Sequence, residues 1–211
     1  VTYLYLVRHG ETDWNRARRI QGTTDIPLNA VGREQARATG RLLSGRQWDE
    51  IVTSPLSRAA ETARIIAEEL GLPEPTPMDA LVERNYGEAE GLTGEELLAR
   101  FPGETAVDGR EERSAVAERV LPALVNLAEK GSDRSIIVVS HGGVIRTVLK
   151  EVGPSHGPHH TEAIPNGSVH SFRYVNEALE LVAFDDPIES ESVSAGSDDF
   201  AEQNPIERRE F

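Results

Sequence analysis

At 211 residues, 38% hydrophobic but only 5% aromatic, the chain is long enough for one domain with a sizeable core and an appendage. It lacks cysteine, which excludes disulfides, thiolate metal sites and a cysteine nucleophile, and its formal net charge of −14 argues against nucleic acid as a partner. Nothing in it approaches a membrane span and it does not open on a basic-then-apolar leader, so the expectation is a soluble, cytoplasmic protein with no membrane partner.

Residues 3–7, Tyr-Leu-Tyr-Leu-Val, read as a buried strand that switches at once to Arg8-His9-Gly10-Glu11-Thr12. After a loop, Asn29 stands where a helix N-cap belongs, ahead of Ala30–Leu43. Glu50–Thr53 is a second short strand stopped by Ser54-Pro55. A strong helix follows over Ser57–Leu70, with Ala60, Ala63, Ile66, Ala67 and Leu70 on one stripe and Gly71 as its C-cap. Recurring prolines make residues 73–77 extended or looped.

Residues 81–92 form a turn-rich block carrying Glu83, and Thr93-Gly94-Glu95-Glu96 has the form of a capping box opening a helix to Phe101. A helix over 112–130 has Val116, Val120, Leu124 and Leu127 as its core stripe, and Pro122 predicts a kink or a late start. Ser135–Ser140 is the clearest strand, apolar enough for burial on both faces, and it runs into His141-Gly142-Gly143 and a helix over 144–152. Residues 168–174 and 179–184 form a β-hairpin that completes the sheet. One domain is therefore expected over 1–184. Residues 185–211, with nine Asp or Glu against two Arg, make an acidic tail expected to lie against the body or a neighbouring chain, as in a homodimer.

Three predicted strands thus deliver Arg8 with His9, Arg58, and His141 to their carboxyl ends, the edge where open α/β sheets bind ligands. A transferring phosphoryl group spreads charge over three equatorial oxygens, and two guanidinium forks, Arg8 and Arg58, suit those oxygens. A neutral imidazole has one ring nitrogen able to attack phosphorus if the other is held as a donor. His9 is the candidate nucleophile, because Gly10 lets the backbone turn closely beneath it. His141 would donate to the phosphoryl oxygens, Gly142-Gly143 would offer helix amides, and Asn15 a further neutral donor. The leaving alkoxide needs a proton, and Glu83 is the first choice of acid, ahead of Glu11 and Glu88.

Arg8-His9-Gly10-Glu11-Thr12, Ser54-Pro55-Leu56-Ser57-Arg58, the Glu83 loop and Ser140-His141-Gly142-Gly143 together resemble the histidine phosphatase, or phosphoglycerate-mutase-like, superfamily over about residues 2–175. The resemblance implies a three-layer α/β/α sandwich around a mostly parallel sheet and a phosphohistidine on His9. It also implies a pocket of Arg8, Arg58 and His141, with Glu83 as proton donor, and neither a metal nor a cofactor. It marks Gln21-Gly22-Thr23 as bordering the phosphate pocket and Asn166-Gly167-Ser168 as a turn that contributes a backbone amide. Arg84 and Arg146 read as solvated or salt-bridged. His156, His159 and His160 read as loop-surface residues, since no carboxylate or cysteine stands at metal spacing beside them.

The leading function is a phosphatase of acid-phosphatase type, acting on a small phosphorylated metabolite. A phosphoglycerate mutase would return the same phosphoryl group to its substrate, but mutases carry a longer basic insertion after the Glu83 loop. Only Arg100, Arg110 and Arg113 lie between Thr93 and Ser114 here. A third reading, a non-catalytic phospholigand-binding protein, is opposed by the complete set of candidate catalytic residues. Metal-assisted hydrolysis through His9, Glu11 and His141 is a fourth.

Overall fold

A computed structural model describes residues 1–153, 162–184 and Ile206. Alternation builds its core. In β1 (Thr2–Arg8), Leu4 and Leu6 face one side of the sheet while Tyr5 and Val7 face the other. In β4 (Ser135–Ser140), Ile136 and Val138 join the first set and Ile137 and Val139 the second. Both strands are therefore apolar on both faces, as strands covered by helices must be. The first face packs under α5 (Arg113–Glu129) and α6 (Gly142–Val152), the second under α3 (Ser57–Leu70) beside α2 (Ala30–Leu43). The result is the expected three-layer α/β/α sandwich.

With β2 (Glu50–Thr53), β3 (Thr76–Pro77), β5 (Val169–Val175) and β6 (Ala178–Ala183), the sheet order is β3-β2-β4-β1-β5-β6. The first four strands are parallel, and the hairpin β5–β6 adds antiparallel to β1. The proline-rich stretch, expected to be extended or looped, supplies β3, a two-residue strand at the sheet edge, where proline is tolerated. The helix expected over 112–130 runs unbroken from Arg113 to Glu129, with no late start at Pro122, whose ring lies on the exposed face.

Local signals explain most boundaries. The Asn29 side chain accepts the Gly32 amide at 2.9 Å to start α2, and Gly71 ends α3 at φ 66°. The Thr93–Glu96 capping box starts α4 (Gly94–Arg100). A single-turn helix missed in the sequence, α1 (Asp13–Arg16), is capped by Thr12. A third cluster, Ile20, Tyr86, Ala89, Leu97, Phe101 and Val107, packs beyond the sheet edge, and Ile206 is buried in it. The rest of the acidic segment, like His156, His159 and His160, lies outside the described residues. Among the described residues no helix is long and apolar enough to cross a membrane.

Candidate active site

Register brings the motifs together. Arg8 stands opposite Ser140 across β1–β4, and Thr53 opposite Val139 across β2–β4, so the three parallel strands end level. The chain leaves that edge in step: the His9 amide donates to the Ser140 carbonyl at 3.1 Å and the Ser54 amide to the Val139 carbonyl at 2.9 Å. The antiparallel β5 starts at the same edge, where the Gly167 amide donates to the Arg8 carbonyl at 2.9 Å.

Arg8, His9, Asn15, Gln21, Arg58, Glu83 and His141 are all buried there. The His9 and His141 rings are 5.2 Å apart between centroids. His9 Nδ1 lies 2.7 Å from the Gly10 carbonyl oxygen; a carbonyl only accepts, so Nδ1 carries the proton and Nε2 the lone pair. Burial, then the charges of Arg58 and Arg8, hold the His9 imidazole well below its usual value, although the Gly10 carbonyl pulls the other way. Burial and the charges of Arg58, His9, Arg8 and Arg119 do the same to His141. Both rings are thus neutral, and His9 presents a nucleophilic nitrogen under two positive charges.

The close approach that Gly10 permits is matched by a second glycine, Gly32, on the facing helix. A Cβ on Gly10 would sit 2.3 Å from the Gly32 carbonyl oxygen, and one on Gly32 would sit 2.1 Å from that of Glu11. The first turn of α2 is pressed against the backbone after His9, and only two glycines allow it. Thr62 of α3 ties this backbone to Arg58, accepting the Gly10 amide at 3.1 Å and donating to the Arg58 carbonyl at 2.7 Å.

Arg58 donates through Nη2 to the Gly22 carbonyl at 2.6 Å and through Nη1 to that of Thr24 at 2.8 Å. Gly22 thus meets the pocket through its carbonyl, and Gln21 accepts the Thr12 hydroxyl at 2.6 Å. Arg58 Nε and His141 Nδ1 are buried with no hydrogen-bond partner among the described residues. His141 Nε2 meets the Ser54 hydroxyl at 2.7 Å.

Several assignments need correcting. The Gly143 amide does not face the pocket as a helix donor but binds Glu83 Oε2 at 3.0 Å, while Glu83 Oε1 takes the Arg84 amide at 2.7 Å. A Cβ on Gly143 would lie 2.4 Å from Glu83 Oε1, so that glycine lets the carboxylate reach the start of α6. Asn15 also caps α1 through Oδ1, which accepts the Thr12 amide at 3.0 Å, a role beside the one expected of it as a donor. The 166–168 turn contributes a side chain as well as an amide, since Asn166 Nδ2 donates to the His9 carbonyl at 3.0 Å. Arg84 and Arg146 are not solvated; both are fully buried, Arg84 on the Glu111 carbonyl at 2.8 Å and Arg146 on that of Glu162. Of the alternative acids, Glu11 is engaged by Arg16 and Asn29, and Glu88 by Arg100. Among the described residues no three His, Asp or Glu side chains converge to hold a metal ion.

The two depressed imidazoles carry a stability consequence. As pH falls below about 6.5, the unfolded chain takes up protons that the folded chain refuses, so stability falls with acidification and levels off only beneath the folded values. Each histidine then costs up to about 1.4 kcal/mol per pH unit, at roughly 2–4 °C per kcal/mol for a chain of this size. Thermal melts between pH 7 and pH 5 are expected to show a steeper fall in Tm for the native chain than for His9→Ala. Parallel profiles would contradict neutral burial of His9.

Comparison with known proteins agrees with this geometry. Residues 4–187 match the sequence model of the histidine phosphatase superfamily, branch 1. The uncharacterized phosphatase PhoE of Bacillus subtilis is 39% identical over 87% of this chain and 89% of its own length. Phosphoglycerate mutase-like protein 4 of Arabidopsis thaliana is 38% identical over 81% of this chain and 78% of its own. Among solved structures, a mycobacterial glucosyl-3-phosphoglycerate phosphatase complexed with VO3 superposes with a TM-score of 0.78 at 30% identity, covering 88% of this chain and 99% of that one. The chain belongs to the histidine phosphatase superfamily, branch 1.

Proposed function

We propose that the protein is a phosphatase of acid-phosphatase type that hydrolyses a small phosphorylated metabolite through a phosphohistidine on His9. The observation that carries this reading is the His9 ring, proton on Nδ1 against the Gly10 carbonyl and Nε2 available, under the charges of Arg58 and Arg8. Nε2 attacks phosphorus and the bond to the ester oxygen breaks. Arg8, Arg58 and His141 hold the equatorial oxygens, and Glu83 hands its proton to the departing alkoxide. Asn15, Gln21, Gly22 and Gly142 border the phosphate. Water then attacks phosphorus, the Glu83 carboxylate takes its proton, and the P–N bond breaks to return neutral His9.

Hydrolysis rather than mutation is favoured by the relative named a phosphatase over nearly the whole chain. It is favoured also by the scarcity of basic side chains after the Glu83 loop, where Arg100 is already paired with Glu88. The test is a panel of phosphoglycerates, phosphoserine and sugar phosphates, assayed for inorganic phosphate against isomerised ester. Stoichiometric phosphate release, inhibited by vanadate and indifferent to chelator, is the expected result. Isomer formed faster than phosphate would replace the phosphatase by the mutase, and no turnover of any monoester would leave a binding protein.

A further inference from the structure

Glu83 sits on backbone that no strand or α-helix holds. It follows the single turn Asp79–Leu81 and precedes another at Gly87–Ala89. A proton donor needs its position fixed, because about 1 Å of displacement from productive geometry costs on the order of 10²-fold in rate. What fixes this one is a guanidinium on α5.

All five N–H groups of Arg119 are used. Nη1 donates to the carbonyls of Ala80 at 2.6 Å and Val82 at 2.8 Å, and Nη2 to that of Glu83 at 3.3 Å. Nε and Nη2 also hold the two carboxylate oxygens of Glu111 at 2.8 and 3.1 Å. Glu111 in turn grips the chain on the far side of Glu83. Its carboxylate accepts the Asn85 amide at 3.0 Å, its own amide donates to the Asn85 carbonyl at 2.7 Å, and its carbonyl accepts Arg84 Nε at 2.8 Å. Burial alone would push the Glu111 carboxyl up, but the hydrogen bonds from Arg119 and Asn85 and the charges of Arg119 and Arg84 hold it below its usual range. The pair stays ionic, and between them the two side chains bracket Glu83 from residue 80 to residue 85.

We propose that Arg119, held by Glu111, is a positioning residue for Glu83, clamping the backbone on both sides of the proton donor so that its carboxyl stays beside the start of α6. The proposal rests on Glu83 being the acid in the phosphatase reading. The half-buried ion pair matters here for its aim. Three hydrogen bonds run from Arg119 to the carbonyls of Ala80, Val82 and Glu83, and Glu111 holds Arg84 and Asn85 on the other side, so the two residues set the geometry of one short segment.

Leaving-group dependence tests it, since an acid matters for an alkyl phosphate and hardly at all for an aryl phosphate with a good leaving group. In Arg119→Lys, kcat/KM for glycerol 2-phosphate should fall about 10²-fold while that for p-nitrophenyl phosphate stays within about threefold. Added to Glu83→Gln, the same change should cost nothing further with the alkyl substrate. Glu111→Gln, which keeps Arg119 but loosens its fork, should give the same selective pattern at roughly tenfold, and it carries the test if Arg119→Lys does not fold. Equal losses on both substrates, or a further loss on top of Glu83→Gln, would overturn the proposal. If Glu83→Gln is selective and the Arg119 and Glu111 variants are not, only the positioning inference falls. If Glu83→Gln loses both substrates alike, the acid assignment falls and takes the inference with it.

Discussion

His9→Ala is expected to fold and to release no phosphate. In the proposed mechanism the ring supplies the one protein atom that bonds to phosphorus, and groups that act as one catalytic unit leave almost nothing when the nucleophile goes. Losses on the order of 10⁴- to 10⁶-fold are typical of nucleophile deletion. The fold should survive because β1 continues through backbone bonds from His9 and Arg8 that the substitution leaves in place. The imidazole is also held neutral at a cost in acid, so its removal relieves a penalty as well as opening a cavity. Two measurements check it together: a thermal melt at neutral pH, and intact mass after a base quench during turnover, where the native chain should carry one phosphoryl group and the variant none. A folded His9→Ala protein that turned over phosphate esters would end the phosphohistidine reading.

Arg58 carries the second large effect, and it acts twice. Its guanidinium holds the phosphoryl oxygens in the proposed mechanism, so Arg58→Met should lower kcat/KM by about 10³-fold or more, the scale on which an arginine stabilises phosphoryl transfer. It is also the charge that, after burial, does most to depress the His9 imidazole, and likewise that of His141. Removing it lets both imidazoles take up protons at higher pH. Since His9 attacks only when neutral, the acid limb of the kcat/KM profile should move to higher pH in Arg58→Met. Arg58→Lys separates the two roles, because it keeps a charge but lacks the planar fork that also binds the Gly22 and Thr24 carbonyls. Its rate should fall while its acid limb stays put. An acid limb unmoved in Arg58→Met would show that the Arg58 charge does not set the His9 titration, leaving burial and Arg8.

Much of the site was legible because its chemistry demands rare side chains at strand ends. Arg8-His9-Gly10 and Ser140-His141-Gly142 each follow an apolar run with no polar residue inside it, so each could be placed at a sheet edge without coordinates. Glu83 was harder, with acidic neighbours on both sides of the loop, and only the bonds from the Gly143 and Arg84 amides single it out. Gly32 and Thr62 left no signal. One looks like a helix residue of poor propensity and the other like an ordinary threonine, and their meaning lies in contacts with the backbone after His9. A helical arginine such as Arg146 reads as solvated or salt-bridged because most are; here it is fully buried and donates to the Glu162 carbonyl.

Local patterning by itself determined where the chain is strand and where helix, and which side chains could do phosphoryl chemistry. Period-two alternation, capping residues and glycine stops are short-range properties that act within a few residues. Tertiary structure alone decided how those side chains are aimed and what charge they bear. The level ends of β1, β2 and β4 come from register, the Nδ1–H tautomer of His9 from one carbonyl, and its depressed titration from burial beneath two arginines. The bracing of Glu83 by Arg119 and Glu111 depends on a helix that begins thirty residues later in the chain. Such effects depend on distances across the fold, and no spacing along one chain encodes them.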